Sequence, residues 1–329
     1  MKTLILGAGS FAGQSLFLQY LNQGLDVYGI NRSAPKNEYY WPWTKKYKNV
    51  LDEKWFRYSL TESLEDMIEK IQQINPHIIV DFMGQGMVSQ SWSDPGLWYL
   101  TNITNKSKLI NSFKNLGNFE KYIRISTPEV YGSNEKYLTE THAFNPSTPY
   151  AVSHASIDMH LRCLHKESQF PCVIGRFANF YGIGQQLYRV IPRLFLSCKT
   201  NKKFTLDGKG SSRRSFIYSD DVNNAINSMI RVAKIGEEFN FSSNEELSIL
   251  ELVERICKLT SINTSSILNY GPERPGKDKF YRLNIDKAKR DLNWEPKIFL
   301  DNGLNKVSSW ISKNTAELSQ ETWDYIHKT

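Results

Sequence analysis

Met1-Lys-Thr-Leu-Ile-Leu-Gly7-Ala-Gly9-Ser10-Phe11-Ala-Gly13 opens the chain, and its reading decides the fold. Thr3–Leu6 is a short apolar run, followed at once by a glycine-rich turn and the start of an apolar helix. Gly7 permits the tight turn, Gly9 leaves room for a ligand to approach the backbone, and Gly13 lets the helix pack close to the strand. The helix N-terminus then offers unpaired amide donors and the positive end of its dipole, a combination that attracts a pyrophosphate. In this strand–turn–helix setting the spacing predicts a dinucleotide site with Gly7, Gly9, Ser10, Phe11 and Gly13 at its phosphates.

Outward from that turn, strands and helices alternate. Asp26–Ile30 reads as a second strand and residues 56–59 as a third. Leu64, Met67, Ile68 and Ile71 share one helical face within Leu64–Ile74, and Pro76 ends that helix. His77–Phe82 is a continuous apolar strand of the doubly buried type. A helix over 97–116, a strand over Lys121–Ser126, a helix over Tyr150–Lys166 preceded by Pro149, and a strand over Cys172–Arg176 complete the first half. The alternation predicts an α/β fold, a Rossmann-type doubly wound parallel sheet. Residues 1–175 form its dinucleotide-binding domain. Residues 176–329 make a smaller mixed α/β lobe, with a segment over about 215–245 returning to the first domain. The aromatic group Tyr39, Tyr40, Trp41 and Trp43 reads as packing.

The second strand closes with Tyr28-Gly29-Ile30-Asn31-Arg32-Ser33. A carboxylate here would accept from the adenosine ribose hydroxyls. Asn31, Arg32 and Ser33 instead present a guanidinium and a hydroxyl, which suit a 2′-phosphate, so NADP is expected ahead of NAD.

With 329 residues, 40% hydrophobic and 13% aromatic, the chain can bury a large core. The net charge of +7 and pI near 9.0 come from dispersed Lys and Arg with no basic run. That distribution argues against a nucleic-acid partner and is accounted for by a pocket for phosphorylated ligands. Cys163, Cys172, Cys198 and Cys257 show neither CxxC nor histidine-partnered spacing, so a reducing compartment and no metal site are expected. Without a signal peptide or an apolar run of membrane-spanning length, no membrane partner is expected and the localisation reads as cytoplasmic.

Ser126-Thr127-Pro128-Glu129-Val130-Tyr131-Gly132 and Tyr150-Ala-Val-Ser-His154 supply the chemistry. They set a hydroxyl, a carboxylate, a phenol and an imidazole where a strand end meets a helix. Beside a dinucleotide, these groups suit redox-type chemistry on a nicotinamide with a tyrosine moving the proton.

These stretches resemble the extended short-chain dehydrogenase/reductase family, specifically its nucleotide-sugar epimerases and dehydratases. The likeness runs nearly end to end. Gly7–Gly13, Ser126–Gly132, Tyr150–His154, Arg176–Gly182 and Arg274–Gly276 match family motifs in order, and Val190–Arg193, Arg214–Asp221 and Leu292–Pro296 are further family-like stretches. The resemblance implies that Tyr150 takes the proton of a sugar hydroxyl while Thr127 hydrogen-bonds the same oxygen. It implies that Glu129 removes the proton beside the new carbonyl. A nucleotide-sugar dehydratase is therefore the leading expectation: oxidation at C4, proton removal at C5, water loss and regeneration of the cofactor. An epimerase or decarboxylase of the same family is the alternative, with a non-catalytic nucleotide-sugar-binding homologue behind it.

The same resemblance implies that Gly84, Gln85 and Asn102, with Tyr150 and His154, lie at the cofactor. Ser89 and Gln90 would meet the sugar, and Asn179, Arg193, Arg214 and Arg274 the nucleotide diphosphate. It also implies a homodimer paired through the 97–116 and 150–166 helices. The chain departs from the family pattern at particular points. His154 stands where the family has lysine; it shares a helix face with Tyr150, but an imidazole is charged only partly near neutrality. Pro128 stands where many hexose 4,6-dehydratases carry aspartic acid, and Ser10 replaces the middle glycine of the turn.

Overall fold

A computed structural model describes residues 1–273 and 279–327. Among these, seven parallel strands form the central sheet: β1 (Lys2–Leu6), β2 (Asp26–Asn31), β3 (Trp55–Arg57), β4 (Ile78–Asp81), β5 (Lys121–Ser126), β6 (Cys172–Phe177) and β7 (Glu238–Phe241). Their spatial order is β7-β6-β5-β4-β1-β2-β3. The chain winds outward from β1 to β3 and then crosses back to β4. The direction of winding therefore reverses between β1 and β4, and a crevice opens at the carboxyl ends of those strands, where open α/β sheets take their ligands.

Side chains alternate across the sheet. Ile5, Val27, Val80, Ile123 and Val173 face one layer of helices, in which α1 (Phe11–Asn22) contributes Leu16 and Phe17. On the opposite face Leu4, Leu6, Ile79, Tyr122 and Ile174 meet Met67 and Ile71 of α3 (Leu64–Ile74). Between these in sequence lies α2 (Lys48–Lys54), a short helix not expected from the basic, aromatic segment it follows. Leu4, Ile5, Ile79 and Ile123 are fully buried, each contributing about 1.5–3 kcal/mol of transfer free energy.

The helix expected over 97–116 is interrupted. It runs as α4 (Pro95–Tyr99), a π-helical turn over Leu100–Asn105, α5 (Lys106–Ser112) and a final 3-10 turn. The wide turn buries Thr101, Asn102 and Asn105. Asn105 donates to the carbonyl of Leu60 at 2.8 Å, and the bonds of Asn102 help build the site described below. Such π insertions frequently mark functional positions. Next comes α6 (Pro149–Ser168), capped by the Thr148 hydroxyl accepting from the Ala151 amide. Pro149 is its first residue rather than its predecessor, because a missing N–H costs nothing in the first turn.

In the second half, α7 (Val190–Thr200) belongs to the outer lobe and α8 (Ser219–Arg231) packs Ala225, Ile226 and Met229 on the α1 side of the sheet. The strand expected at 215–218 spans Arg213–Tyr218 and joins Asn179–Tyr181 and Glu246–Ser248 in a separate sheet, while β7 returns to the main one. Trp41 and Trp43 are buried and stacked, their centroids 5.8 Å apart, and their indoles donate to Gly184 O and Gln14 Oε1. That group is packing, as expected. No helix among the described residues is long and apolar enough to cross a membrane.

Candidate active site

At the glycine turn, Gly7 takes φ +73° and its amide, like that of Ala8, donates to Ile30 O (2.8 and 3.1 Å). A Cβ on Gly9 would stand 2.1 Å from Asn31 Nδ2, and one on Gly13 2.3 Å from Gly7 O. Both positions therefore exclude a side chain, and the cradle stays open above the start of α1. Ser10 is the N-cap of that helix: its hydroxyl accepts from the Gly13 amide at 3.0 Å. This explains why serine suits a position that is glycine in related turns. The Phe11 ring packs toward Gly182, so Phe11 offers the turn its backbone. Asn31 Nδ2 and Trp55 Nε1 both donate to Ser33 O, and Arg32 lies within electrostatic reach of Tyr325.

After β4, Gly84 takes φ +153°, and a Cβ there would meet Asn102 Oδ1 at 2.7 Å. Asn102 accepts from Gln85 N (2.8 Å) and donates to Gln85 O (3.1 Å) and to Ser153 Oγ (3.0 Å). Ser153 in turn donates to the Tyr150 carbonyl. One buried amide thus fastens the 84–85 backbone to the first turn of α6. A dinucleotide fits this region: the Gly7–Gly13 cradle is held clear by contacts no side chain permits, and a helix N-terminus faces it.

Thr127, Glu129, Tyr150 and His154 come together at the carboxyl end of β5. The Thr127 hydroxyl caps a 3-10 turn over Pro128–Tyr131 by accepting from Glu129 N at 3.3 Å, and it is hydrogen-bonded to the Tyr150 phenol. Burial, then the nearby Glu129 carboxylate, push Tyr150 well above the usual phenol range, against the Thr127 bond and the charges of Arg189 and Arg124. One helical turn on, the His154 ring lies 4.4 Å from the Tyr150 ring, centroid to centroid. Burial, Arg124 and Lys106 hold its imidazole well below the ordinary histidine range.

Beneath these groups lies a set of buried charges that sequence reading missed. Asp158, one turn beyond His154, accepts from Arg176 Nη2 (2.9 Å), Arg176 Nε (3.2 Å) and Ser126 Oγ (2.7 Å), with Arg124 Nε at 3.6 Å. Arg176 also reaches Glu238 at 2.7 Å. At the end of β4, Asp81 accepts from Lys106 and from the Tyr122 hydroxyl. Burial alone would raise the Asp81 carboxyl, but Lys106 and Arg124 outweigh it and hold it low. The signal was present in the sequence: Arg124 is a charge between the apolar Ile123 and Ile125, and Asp158 repeats the four-residue step of Tyr150 and His154.

The residues expected at the substrate lie on separate elements. Ser89 and Gln90 lie on a 3-10 turn near α4. Asn179 begins the short strand beside Phe216. Arg193 donates to Trp323 O at 3.1 Å and pairs with Asp324 at 3.1 Å, so a segment near the carboxyl terminus occupies it. Arg214 is buried, with its guanidinium 4.0 Å from the Tyr281 ring centroid and Nη1 on Arg213 O. Arg274 lies outside the described residues. That terminal segment continues with Tyr325 against Tyr188 and His327 stacked on Trp98 at 5.2 Å.

Residues 4–307 match the GDP-mannose 4,6 dehydratase family. The chain belongs to that family. It is 30% identical over 253 residues to a mouse (Mus musculus) dTDP-D-glucose 4,6-dehydratase, across 75% of this chain and 69% of the relative. The crystal structure of dTDP-glucose 4,6-dehydratase from Bacillus anthracis str. Ames in complex with NAD superposes with a TM-score of 0.83 at 26% identity, covering 96% of this chain and 98% of that one. A UDP-glucuronic acid 4-epimerase from Bacillus cereus, in complex with UDP-glucuronic acid and NAD, gives 0.84 at 26% identity, covering 95% and 99%. The fold and the resemblance to extended short-chain dehydrogenase/reductases therefore stand.

Proposed function

We propose that this chain is an NAD(P)-dependent nucleotide-sugar dehydratase. The observation that carries the reading is the Thr127–Tyr150 hydrogen bond with the Glu129 carboxylate beside it. Gly7, Gly9, Ser10, the Phe11 backbone and Gly13 would hold the pyrophosphate, with Asn31, Arg32 and Ser33 at the adenosine ribose and Gly84, Gln85, Tyr150 and His154 toward the nicotinamide. The bound dinucleotide would accept hydride from the sugar C4 and later return it.

The chain's own residues do the rest. Tyr150 takes the C4 hydroxyl proton, with Thr127 holding the same oxygen. A ketone at C4 acidifies the C5 hydrogen, and Glu129 removes it. The C6 hydroxyl then departs as water. Pro128 has no proton to give, so Glu129, once protonated, Tyr150 or water supplies it. The same Pro128 favours a 4-epimerase as the second reading, because epimerisation needs no acid there. Asn31, Arg32 and Ser33 stand in sequence where a carboxylate would favour NAD, and this supports NADP ahead of NAD. We also propose a homodimer joined through the interrupted 97–116 helix and α6, on which Leu100 and Met159 are 45% and 54% exposed.

The deciding experiment is mass spectrometry of products from a panel of nucleotide-linked hexoses and uronic acids, incubated with protein and NAD(P) in heavy water. Loss of one water with a solvent deuteron incorporated supports the dehydratase. An isobaric sugar moves the chain to the epimerases, and loss of carbon dioxide to the decarboxylases. No product, with dinucleotide binding retained, supports a binding protein.

A further inference from the structure

Arg124 Nη2 lies 2.9 Å from His154 Nδ1, with both residues buried. A guanidinium can only donate, so Nδ1 accepts and carries no proton. The single imidazole proton then sits on Nε2, which is buried without a hydrogen-bond partner among the described residues. A buried donor without a partner is costly, and this one lies on the α6 face that carries Tyr150. Arg124 is fixed in turn by Asp158 at 3.6 Å from its Nε.

We propose that Arg124 and His154 divide between them the work of a single active-site lysine: Arg124 is a positioning residue that locks His154 as the neutral Nε2–H tautomer and supplies the permanent charge, and His154 Nε2–H donates to a hydroxyl of the nicotinamide ribose. The inference rests on the dinucleotide reading above. Arg124 is among the charges that draw the Tyr150 phenol downward, which a neutral imidazole does not do. The groups set against His154 are Arg124 on β5, Tyr150 on α6 and Lys106 on α5, with Asp158 reached through Arg124. Lys106 is itself tied to Asp81. Two of these are cations beside the imidazole, and both keep it neutral.

The test begins with the full chain labelled with 15N-histidine, without cofactor. Long-range 15N–1H spectra across the acid-to-neutral range are assigned by comparison with His154→Gln. The expected result is one His154 tautomer, protonated on Nε2, that does not titrate in the usual range near 6.5. A protonated Nδ1, or an ordinary titration, overturns the proposal without any variant at Arg124. In Arg124→Met the tautomer is expected to become mixed, and NAD(P)⁺ binding by calorimetry to weaken about tenfold. His154→Lys alone is expected to weaken binding similarly, because its ammonium meets the Arg124 guanidinium.

The double variant Arg124→Met/His154→Lys is expected to recover most of the affinity, since one ammonium then performs both tasks. Losses that simply add in the double variant make Arg124 a structural residue and overturn the proposal. If Arg124→Met does not fold, the wild-type spectra still decide. A wild type that binds neither dinucleotide overturns the functional reading, and this proposal with it. A wild type that binds with an unlocked His154 overturns the pair alone.

Discussion

Asn102 and Gln85 exchange a reciprocal pair of hydrogen bonds, Gln85 N to Oδ1 at 2.8 Å and Nδ2 to Gln85 O at 3.1 Å. The side chain of Asn102 thus replaces a strand neighbour for a loop that has none. Its amide also reaches Ser153, so the loop and α6 are held in one register. Asn102→Ala removes both of these bonds to the buried Gln85 backbone, a loss of about 2–3 kcal/mol. Urea denaturation is expected to show that loss with an unchanged slope. Dinucleotide binding should weaken at the same time, because the 84–85 backbone is no longer placed. A midpoint equal to wild type would mean that water takes over both groups.

Much of this arrangement is legible in the sequence because it is local. The glycine turn, the caps and the apolar periods of β1, α3, β5 and α6 each need only a few neighbouring residues. Thr127, Glu129, Tyr150 and His154 could be singled out because each sits at a strand end or on one helix face. What stayed hidden depends on pairing across the fold. Nothing near Arg124 in the chain names His154 as its partner, and nothing near Arg193 names Asp324. The interruption of the 97–116 helix was equally invisible, since the bonds of Asn102 to Gln85 and Ser153 come from other elements.

His154 gives the protein a distinctive acid limb. Its folded pKa lies far below the unfolded value of about 6.5. Below that value the unfolded chain binds a proton that the folded chain refuses, so stability falls as pH falls. Between pH 7 and pH 5 the single site contributes a loss of about 2 kcal/mol. His154→Gln removes this term and keeps an acceptor for Arg124. The variant's stability, measured by urea titration at both pH values, is expected to fall less than that of wild type by about that amount. Parallel curves would mean that His154 protonates in the folded state.

Glu129 is the group that separates elimination from simple oxidation. Glu129→Gln keeps the shape of the side chain and removes its capacity to take the C5 proton. It also takes away the negative charge that pushes the Tyr150 phenol upward. Water loss and deuterium incorporation are expected to fall together by about 10²–10⁴-fold, with dinucleotide affinity unchanged. Incorporation at the wild-type rate would assign the C5 proton to another base.

The Arg193–Asp324 pair bears on how substrate enters. Arg193 is 38% exposed and Asp324 81%, so the pair adds little to stability. Its geometry is more telling: a guanidinium that donates to a carboxylate and a carbonyl presents the same donors that a diphosphate needs. Trp323, Asp324, Tyr325 and His327 lie along Arg193, Tyr188 and Trp98. If Arg193 serves the diphosphate, this segment competes with it for the same donors. Asp324→Asn with a wild-type Tm, and a chain ending at Glu321 with a Tm lowered by the lost packing of Trp323 and His327, are both expected to bind a nucleoside diphosphate a few-fold more tightly. That gain should shrink as salt is added, because the competing charges are exposed. Equal affinity at low salt in all three proteins would place Arg193 outside the phosphate site and leave the terminal segment a structural role.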